Sequence, residues 1–222
     1  TSYGLVNLLK EELLEEGTNV LLLSYTNRAV DEICSKLVEI REENADFDFI
    51  RIGSELSCAK EYRDYLLSNK VKEKTGNAVK RLIDTTRVFC GTTAAFNASL
   101  SIFSLKHFSL AIIDESSQIL EPHLIGLLSA HDGPKEAIDR IVMIGDHKQL
   151  PPMLEPDIVK KLQENPEFRN IPDIEVSLFE RLFEISFKEK SSHIKAVRLE
   201  QQYRMHPDIC QFVSNVFYDG AL

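Results

Sequence analysis

Short apolar runs of about four residues alternate along the chain with segments in which apolar residues recur every three or four positions. Such runs of Val, Ile, Leu and Phe are typical of strands buried on both faces of a parallel sheet, and the wider spacing is typical of covering helices. The predicted strands are residues 20–23, 47–52, 87–90, 110–113, 141–144 and 196–199. This alternation predicts an α/β fold with a doubly wound, mainly parallel sheet flanked by helices.

The predicted helices carry recognisable start and stop signals. The signals are Gly17 as the terminator of a first helix, Thr26 or Asn27 as the cap of the second, and Ser177 with Glu180 as a capping box. A last helix is predicted at residues 207–217. The prolines between residues 151 and 172 predict loops with one short helix.

Two of the predicted strands end abruptly in carboxylates. Asp114 and Glu115 follow the fourth strand, and Asp146 follows the fifth, with Gln149 shortly after it. Functional groups in parallel α/β sheets lie just past the carboxyl ends of the strands. An Asp-Glu pair suits a nucleotide-hydrolysing site, in which one carboxylate holds magnesium and the next orients or deprotonates a water. The alternative is that acidic residues merely end these strands.

The composition is that of an ordinary globular protein, with 222 residues, 43% of them hydrophobic and 27% charged. This length fits one large α/β domain or two small ones. No apolar run approaches the length of a membrane span, and the N-terminus lacks the layout of a signal peptide. The four cysteines show no C-x-x-C spacing, so we expect reduced, mostly buried thiols of a cytosolic protein.

The formal net charge of −9 argues mildly against a nucleic-acid partner, but one stretch departs from it. Residues 60–81 contain seven basic and three acidic side chains, within a charged, helical-looking insertion at about residues 53–86. We expect Lys70, Lys72 and Lys74 to line the path of a single strand, because cations follow phosphates. The alternative is a solvated helical face that only covers the sheet.

Five sequence blocks occur in a characteristic order. They are residues 24–31 (SYTNRAVD), 90–93 (CGTT), 113–118 (IDESSQ), 145–152 (GDHKQLPP) and 202–207 (QYRMHP). Together they closely resemble the first RecA-like domain of superfamily 1 helicases, in the up-frameshift-like branch. The resemblance covers nearly the whole chain except residues 38–87, and it implies a P-loop NTPase fold.

The resemblance implies a role for each residue of an ATP and Mg²⁺ site. Asp114 would bind magnesium, usually through water, because this hard cation prefers oxygen ligands. Glu115 would orient the attacking water, and Gln149 would sense the γ-phosphate and link it to the nucleic-acid groove. Arg204 would reach the γ-phosphate with its planar, permanently charged fork, and Tyr203 could stack on the adenine.

Further implied contacts concern the nucleic acid and the phosphate loop. Contacts to a sugar-phosphate backbone would come from Thr26, Asn27, Thr92 and Thr93. The G-x-x-x-x-G-K-S/T loop that this family uses to cradle phosphates is missing from the sequence. The spacing fits the family if Thr1 is the threonine of that loop, where it would contact magnesium and nucleotide. We therefore expect residues 1–222 to be a single RecA-like domain truncated at both ends, without a second RecA-like domain.

The expected function is that of the ATP-binding lobe of a nucleic-acid-dependent ATPase or helicase, which couples hydrolysis to translocation on or unwinding of DNA or RNA. The isolated segment should be inactive. The alternative is a non-hydrolysing RecA-like scaffold that binds nucleic acid or regulates a partner. The retained set of Asp114, Glu115, Gln149 and Arg204 favours the enzyme. Expected partners are single-stranded nucleic acid and the second domain, with no membrane and a monomeric state. The expected location is cytoplasmic, or nuclear or nucleoid if DNA is the substrate.

Overall fold

The computed structural model describes residues 8–11, 13, 15, 17–154, 157, 160–161, 164–165, 175–188, 194–199, 202–203 and 205–221. Its strands are β1 (Val20–Ser24), β2 (Phe49–Ile52), β3 (Val88–Thr92), β4 (Leu110–Ile113), β5 (His131–Asp132), β6 (Lys135–Glu136) and β7 (Ile141–Met143). Five of them form one sheet in the order β2-β3-β1-β4-β7, and all of its neighbours are parallel. The remaining two, β5 and β6, form a small antiparallel hairpin. The predicted α/β class with a mainly parallel sheet is therefore confirmed.

One predicted strand is wrong. Residues 196–199 have no regular secondary structure. Val197 and Leu199 are 85% and 69% exposed, so the burial that would favour a strand is missing from this part of the chain. The other five predictions agree with the observed strands to within two residues at either end.

Helices cover both faces of the sheet. They are α1 (Asn27–Glu43), α2 (Leu67–Lys70), α3 (Gly76–Thr85), α4 (Thr93–Asn97), α5 (Glu121–Leu128), α6 (Leu178–Lys188) and α7 (Pro207–Phe217). The predicted last helix is confirmed, and the Ser177 hydroxyl accepts a hydrogen bond from the Glu180 amide at the start of α6, as a capping box requires. Near the N-terminus, residues 8–11 and 13 are helical, and Gly17 has φ +83°, which agrees with its predicted role as a terminator.

Alternate residues of each central strand enter two separate cores. In β1, Val20 and Leu22 pack on the side of α1, whereas Leu21 and Leu23 pack on the other side, with apolar residues of α3, α4 and α5. This follows from the two-residue period of a strand, which sends successive side chains to opposite faces. Both faces of β1, β2, β3 and β4 are therefore buried, as expected for parallel strands with helical crossovers, whereas Ile141 of the edge strand β7 is exposed.

A buried guanidinium lies between α1 and the loop after β2. Arg51, which is 1% exposed, forms an ion pair with Asp31 of α1 and donates to the Ser57 carbonyl at 3.3 Å. Its other neighbour is the thiol of Cys34, whose Sγ lies 3.7 Å from that of Cys90 on β3. All four cysteines are free and buried, which confirms the prediction for the thiols.

The basic stretch of residues 60–81 covers the β2 edge of the sheet. Lys70 forms an ion pair with Asp48, immediately before β2, and Lys72 forms one with Glu55 just after it. Lys74 is exposed. These ion pairs favour the sheet-covering interpretation for Lys70 and Lys72, and a role of the three lysines in nucleic-acid binding stays a prediction.

The buried ion pair generates a prediction about stability. Replacing Asp31 by Ala leaves the Arg51 guanidinium buried without its carboxylate, and such a loss destabilises strongly. Because Asp31 is itself partly exposed, we expect the free energy of unfolding in urea to fall by roughly 2–3 kcal/mol.

The matched control is Glu39→Ala on the same helix, where the carboxylate pairs with Lys36 in solvent. It should change the free energy of unfolding by no more than about 0.5 kcal/mol. Equal losses in the two variants would contradict a special role for the Asp31–Arg51 pair.

Candidate nucleotide site

The carboxyl ends of four parallel strands meet at one edge of the sheet. Thr26 follows β1, Thr92 ends β3, Asp114 follows β4 and Asp146 lies three residues past β7. The register pairs Ile113 of β4 with Met143 of β7, so the loops after these two strands leave the sheet side by side. The sheet therefore brings residues of four sequence blocks to the same edge. These are blocks 24–31, 90–93, 113–118 and 145–152.

Asp114 is a buried carboxylate at this edge. Its side chain is only 8% exposed, and its amide donates to the Leu23 carbonyl on β1 at 2.8 Å. Among the described residues, its Oδ1 atom has no hydrogen-bond partner. Burial raises the pKa of Asp114 above the usual value for aspartate, although a hydrogen bond from the Glu115 backbone opposes this shift. A dehydrated carboxylate oxygen is a fitting ligand for Mg²⁺ or for one of its waters.

Glu115 has a left-handed backbone conformation, with φ 52° and ψ 37°. This conformation is uncommon for a residue with a side chain and costs on the order of 1–3 kcal/mol. It turns the chain sharply after Asp114, so that the next amide, that of Ser116, donates to the Ile144 carbonyl at 2.8 Å. The two consecutive carboxylates therefore lie on a tight turn that is anchored to the neighbouring strand.

Two serines join the loops that follow β4 and β7. The Ser116 hydroxyl donates to the Ile144 carbonyl at 2.9 Å, and the Ser117 hydroxyl accepts from the Asp146 amide at 3.1 Å. Between them lies Gly145, where a Cβ atom would come within 2.8 Å of the Ser117 amide nitrogen. The absence of a side chain at residue 145 is what lets the two loops approach.

The carboxylate of Asp146 organises the second loop. Its Oδ1 accepts from the Lys148 amide at 3.0 Å, and its Oδ2 accepts from the Gln149 side-chain amide at 2.9 Å. The hydroxyl of Tyr218, at the end of α7, donates to the same Oδ2 at 2.5 Å. Burial and this carboxylate raise the pKa of Tyr218 to about 12. Gln149 is therefore held by a hydrogen bond within its own loop.

The four residues expected to contact nucleic acid lie at the ends of β1 and β3. Thr26 and Thr92 are helix caps, because their hydroxyls accept from the Ala29 and Ala95 amides at 3.2 and 3.1 Å. Each hydroxyl hydrogen is still able to donate. Asn27 is exposed, and Thr93 is 2% exposed. Their roles in binding stay predictions.

The remaining predicted site residues are placed as follows. Tyr203 is 92% exposed, and Arg204 and Thr1 lie outside the described residues. The Gln202 side chain donates to the Met205 carbonyl and accepts from the Met205 amide. The His206 imidazole then caps α7 by accepting from the Asp208 amide at 3.4 Å.

Sequence reasoning missed three residues of this site. Ser116, Ser117 and Tyr218 hold the two loops and the end of α7 together. The serines stand next to the predicted carboxylates, and that adjacency was the available signal. Nothing in the sequence pattern indicated that Tyr218 contacts Asp146, 72 residues away.

Two negative findings concern the described part of the chain. Its His, Cys, Asp and Glu residues form no group of three or more that could hold a metal ion.

Within the same described residues, no helix combines the length and the apolar character needed to cross a membrane.

Comparison with known families identifies the class of this domain. Two family models, each described as an AAA domain, match residues 59–155 and residues 174–222. The first match contains the loops with Asp114 and Asp146, and the second contains α6, α7 and the segment with Tyr203. With the parallel sheet, they define an α/β domain of the P-loop nucleoside triphosphatase type.

Comparison with individual proteins narrows the class to a family. The chain is 32% identical over 210 residues to the DNA replication ATP-dependent helicase/nuclease DNA2 of Saccharomyces cerevisiae. This match covers 95% of the present chain and 12% of the yeast protein. It is 30% identical to DNA2 of Gallus gallus, with 93% and 18% covered. It is 33% identical to the regulator of nonsense transcripts 1 of Caenorhabditis elegans, with 84% and 14% covered. The chain belongs to the superfamily 1 helicases, in their up-frameshift-like branch, and it spans less than a fifth of the length of these relatives.

The close approach at Gly145 can be tested by substitution. Gly145→Ala forces the added methyl group against the backbone of Ser117, so the two loops must separate. We expect a loss of roughly 1–3 kcal/mol in the free energy of unfolding, which is the usual scale for overpacking. The measurement is urea unfolding followed by circular dichroism.

The control is Gly76→Ala at the first residue of α3, where a Cβ atom meets nothing within 4 Å. It should be neutral or slightly stabilising, because Ala reduces the freedom of the unfolded chain. A Gly145→Ala variant as stable as the control would show that the loops are not closely packed.

Proposed function

We propose that this domain is the first RecA-like domain of a nucleic-acid-dependent ATPase, which couples ATP hydrolysis to translocation on or unwinding of DNA or RNA. Residues 1–222 form a single such domain, with the charged insertion at about residues 53–86, within a longer helicase. Support comes from the DNA2 relatives cited above, whose names describe an ATP-dependent helicase/nuclease. This chain spans 12–18% of the length of those proteins. A second RecA-like domain completes the motor.

The observation that carries this proposal is the connection between the two carboxylate loops. Asp114 and Glu115 follow β4, Gln149 follows β7, and the Ser117–Asp146 hydrogen bond joins the loops. A hydrolytic site needs groups for the metal, the water and the γ-phosphate at fixed mutual positions, because rate depends on alignment. This connection supplies such alignment between neighbouring strands.

Each residue then has one task in the reaction. The Asp114 carboxylate would hold a hydrated Mg²⁺, which would supply positive charge beside the phosphates of ATP. Glu115 accepts a hydrogen bond from the attacking water and orients it towards phosphorus. Gln149 offers its second N–H or its amide oxygen to the γ-phosphate region. Arg204 stabilises the negative charge that spreads over the transferred group, and Tyr203 stacks on the base of ATP.

A single-stranded nucleic acid crosses the neighbouring strand ends. Thr26 and Asn27 after β1, and Thr92 and Thr93 at the end of β3, contact its backbone through short polar groups that read no sequence. The sheet order places β1 between β3 and β4, so this track lies directly beside the Asp114 strand. Nucleic acid and ATP would therefore act on adjacent strand ends of one sheet.

Replacing Glu115 by Gln tests the chemistry. Glutamine keeps the size of the side chain but is a far weaker base, so it cannot take a proton from the water. In the full-length protein, we expect ATP binding to stay within about twofold and turnover to fall by roughly a hundredfold or more.

The matched control is Glu136→Gln on the exposed β5–β6 hairpin, which should leave turnover unchanged. The readouts are phosphate release and equilibrium binding of a fluorescent ATP analogue. Turnover that survives Glu115→Gln would contradict this role of Glu115 and indicate a different base, whereas an unmodified protein without turnover would favour the scaffold alternative.

Replacing Gln149 by Ala tests the coupling. Because Gln149 links the γ-phosphate to the nucleic-acid track, its loss should lower the stimulation of the ATPase by single strands by roughly tenfold, the effect of one charge-assisted hydrogen bond. Basal hydrolysis and ATP affinity should change by no more than about twofold. ATPase rates with and without a single-stranded oligonucleotide measure this, and equal losses in both conditions would make Gln149 an ordinary catalytic group.

A further inference from the structure

We propose that Tyr218 is a positioning residue that ties the C-terminal end of helix α7 to Gln149 through the Asp146 carboxylate, so that movement of α7 and of the γ-phosphate contact are coupled. This inference rests on the proposed function, because it assigns a mechanical input to the Gln149 contact. It concerns a residue outside the carboxylate loops.

The first support is that one oxygen serves both partners. Asp146 Oδ2 accepts the Tyr218 hydroxyl at 2.5 Å and the Gln149 amide at 2.9 Å. The other carboxylate oxygen is engaged by the Lys148 amide, and the Asp146 backbone by Ser117. Rotation of the carboxylate away from Gln149 would therefore break several hydrogen bonds at once. A displacement of Tyr218 would therefore move the Asp146 Oδ2 atom, which is also the acceptor for Gln149.

The second support is that Tyr218 lies on an element with its own anchors. Helix α7 has 11 residues, a length of about 16 Å, and it buries Cys210 and Ser214. It begins at the end of block 202–207 and ends at Tyr218, whose amide bonds to the Ser214 carbonyl. We expect a helix of this length to move as one rigid unit, so that a displacement at one end reaches the other end. Helix α7 and Tyr218 thus connect the end of block 202–207 to the Asp146 loop.

The third support is chemical. A phenol that donates to a carboxylate makes a charge-assisted hydrogen bond, about twice as strong as a neutral one. A phenol is protonated at neutral pH, so this hydroxyl is a donor there, and burial together with the Asp146 carboxylate raises the pKa of Tyr218 further, to about 12. Gln149 uses one of its two side-chain N–H groups on Asp146, so the other N–H and the amide oxygen remain for a ligand. Tyr218 thus steadies the carboxylate without occupying the ligand-facing groups of Gln149.

The experiment is Tyr218→Phe in the full-length protein, which removes one hydroxyl and keeps the ring. We expect the stimulation of the ATPase by a single-stranded oligonucleotide to fall by roughly tenfold, the scale of one hydrogen bond to a charged group. The KM for ATP and the basal rate should stay close to those of the unmodified protein, and the melting temperature should fall only slightly, because a single hydrogen bond is lost. A merely structural role would instead lower the melting temperature and the basal rate together, and that result would overturn the inference.

The dependence on Asp146 is tested by a double-mutant cycle. In an Asp146→Ala background, Tyr218→Phe should have no further effect on stimulation, since the shared oxygen is already gone. Losses that multiply independently would overturn the inference. The control is Tyr62→Phe, which removes the hydroxyl of a half-buried tyrosine that hydrogen-bonds with Ser35 and Glu61, away from the Asp146 loop, and it should leave the stimulation unchanged.

The outcomes separate the two proposals. If the unmodified protein shows no ATPase stimulation by single strands, the proposed function fails and the coupling through Tyr218 fails with it. If the unmodified protein is stimulated and Tyr218→Phe is stimulated equally, only the role of Tyr218 is overturned. If Tyr218→Phe reduces the stimulation, and has no further effect in the Asp146→Ala background, both proposals are supported.

Discussion

The parallel pairing of β4 with β7 is the constraint on which the site depends. Because Ile113 and Met143 are register partners, the loops that follow them leave the sheet as neighbours. The backbone of Ser116 then continues the ladder to Ile144, and Gly145 lets the loops close further. A slip in this register would turn every side chain of β7 to the opposite face and separate the loops. The positions of Asp114 and Asp146 are thus a property of the sheet before they are a property of the loops.

The site concentrates features that are unfavourable for folding. Asp114 is buried, with one oxygen that has no hydrogen-bond partner in the described part of the chain, and Glu115 has a left-handed backbone conformation. Both cost free energy that the packed strands on either side must offset. A site that was only structural would have relaxed these features, for example with Gly at residue 115 or an apolar residue at 114. Their coincidence at one strand end is therefore better explained by chemistry than by stability.

Much of the fold could be predicted from the sequence because its signals are local. The strand at residues 110–113 was predicted without error, since a run of buried apolar residues ends there in a charged pair. Residues 196–199 were predicted as a strand as well, but they pair with no strand among the described residues, and pairing is not a local property. Likewise, the charge of Lys70 and Lys72 is visible in the sequence, whereas their carboxylate partners Asp48 and Glu55 are set by the fold. The carboxylates at the ends of β4 and β7 are visible in the sequence, but the Tyr218 hydroxyl that bonds to Asp146 was not predicted, because it comes from 72 residues away.

Helix α1 has a mechanical consequence that follows from its buried ion pair. Its first turn begins at Thr26, and little more than one turn later Asp31 is fastened to Arg51 beneath it. Val30, Ile33 and Cys34 press the same turns onto the sheet. A pulling force at the N-terminal end of α1 would act on turns that are held by an ion pair and by apolar packing. These turns would therefore resist fraying. The load would pass into β2 through Arg51 and towards β3 through the Cys34–Cys90 contact, so the sheet would bear it.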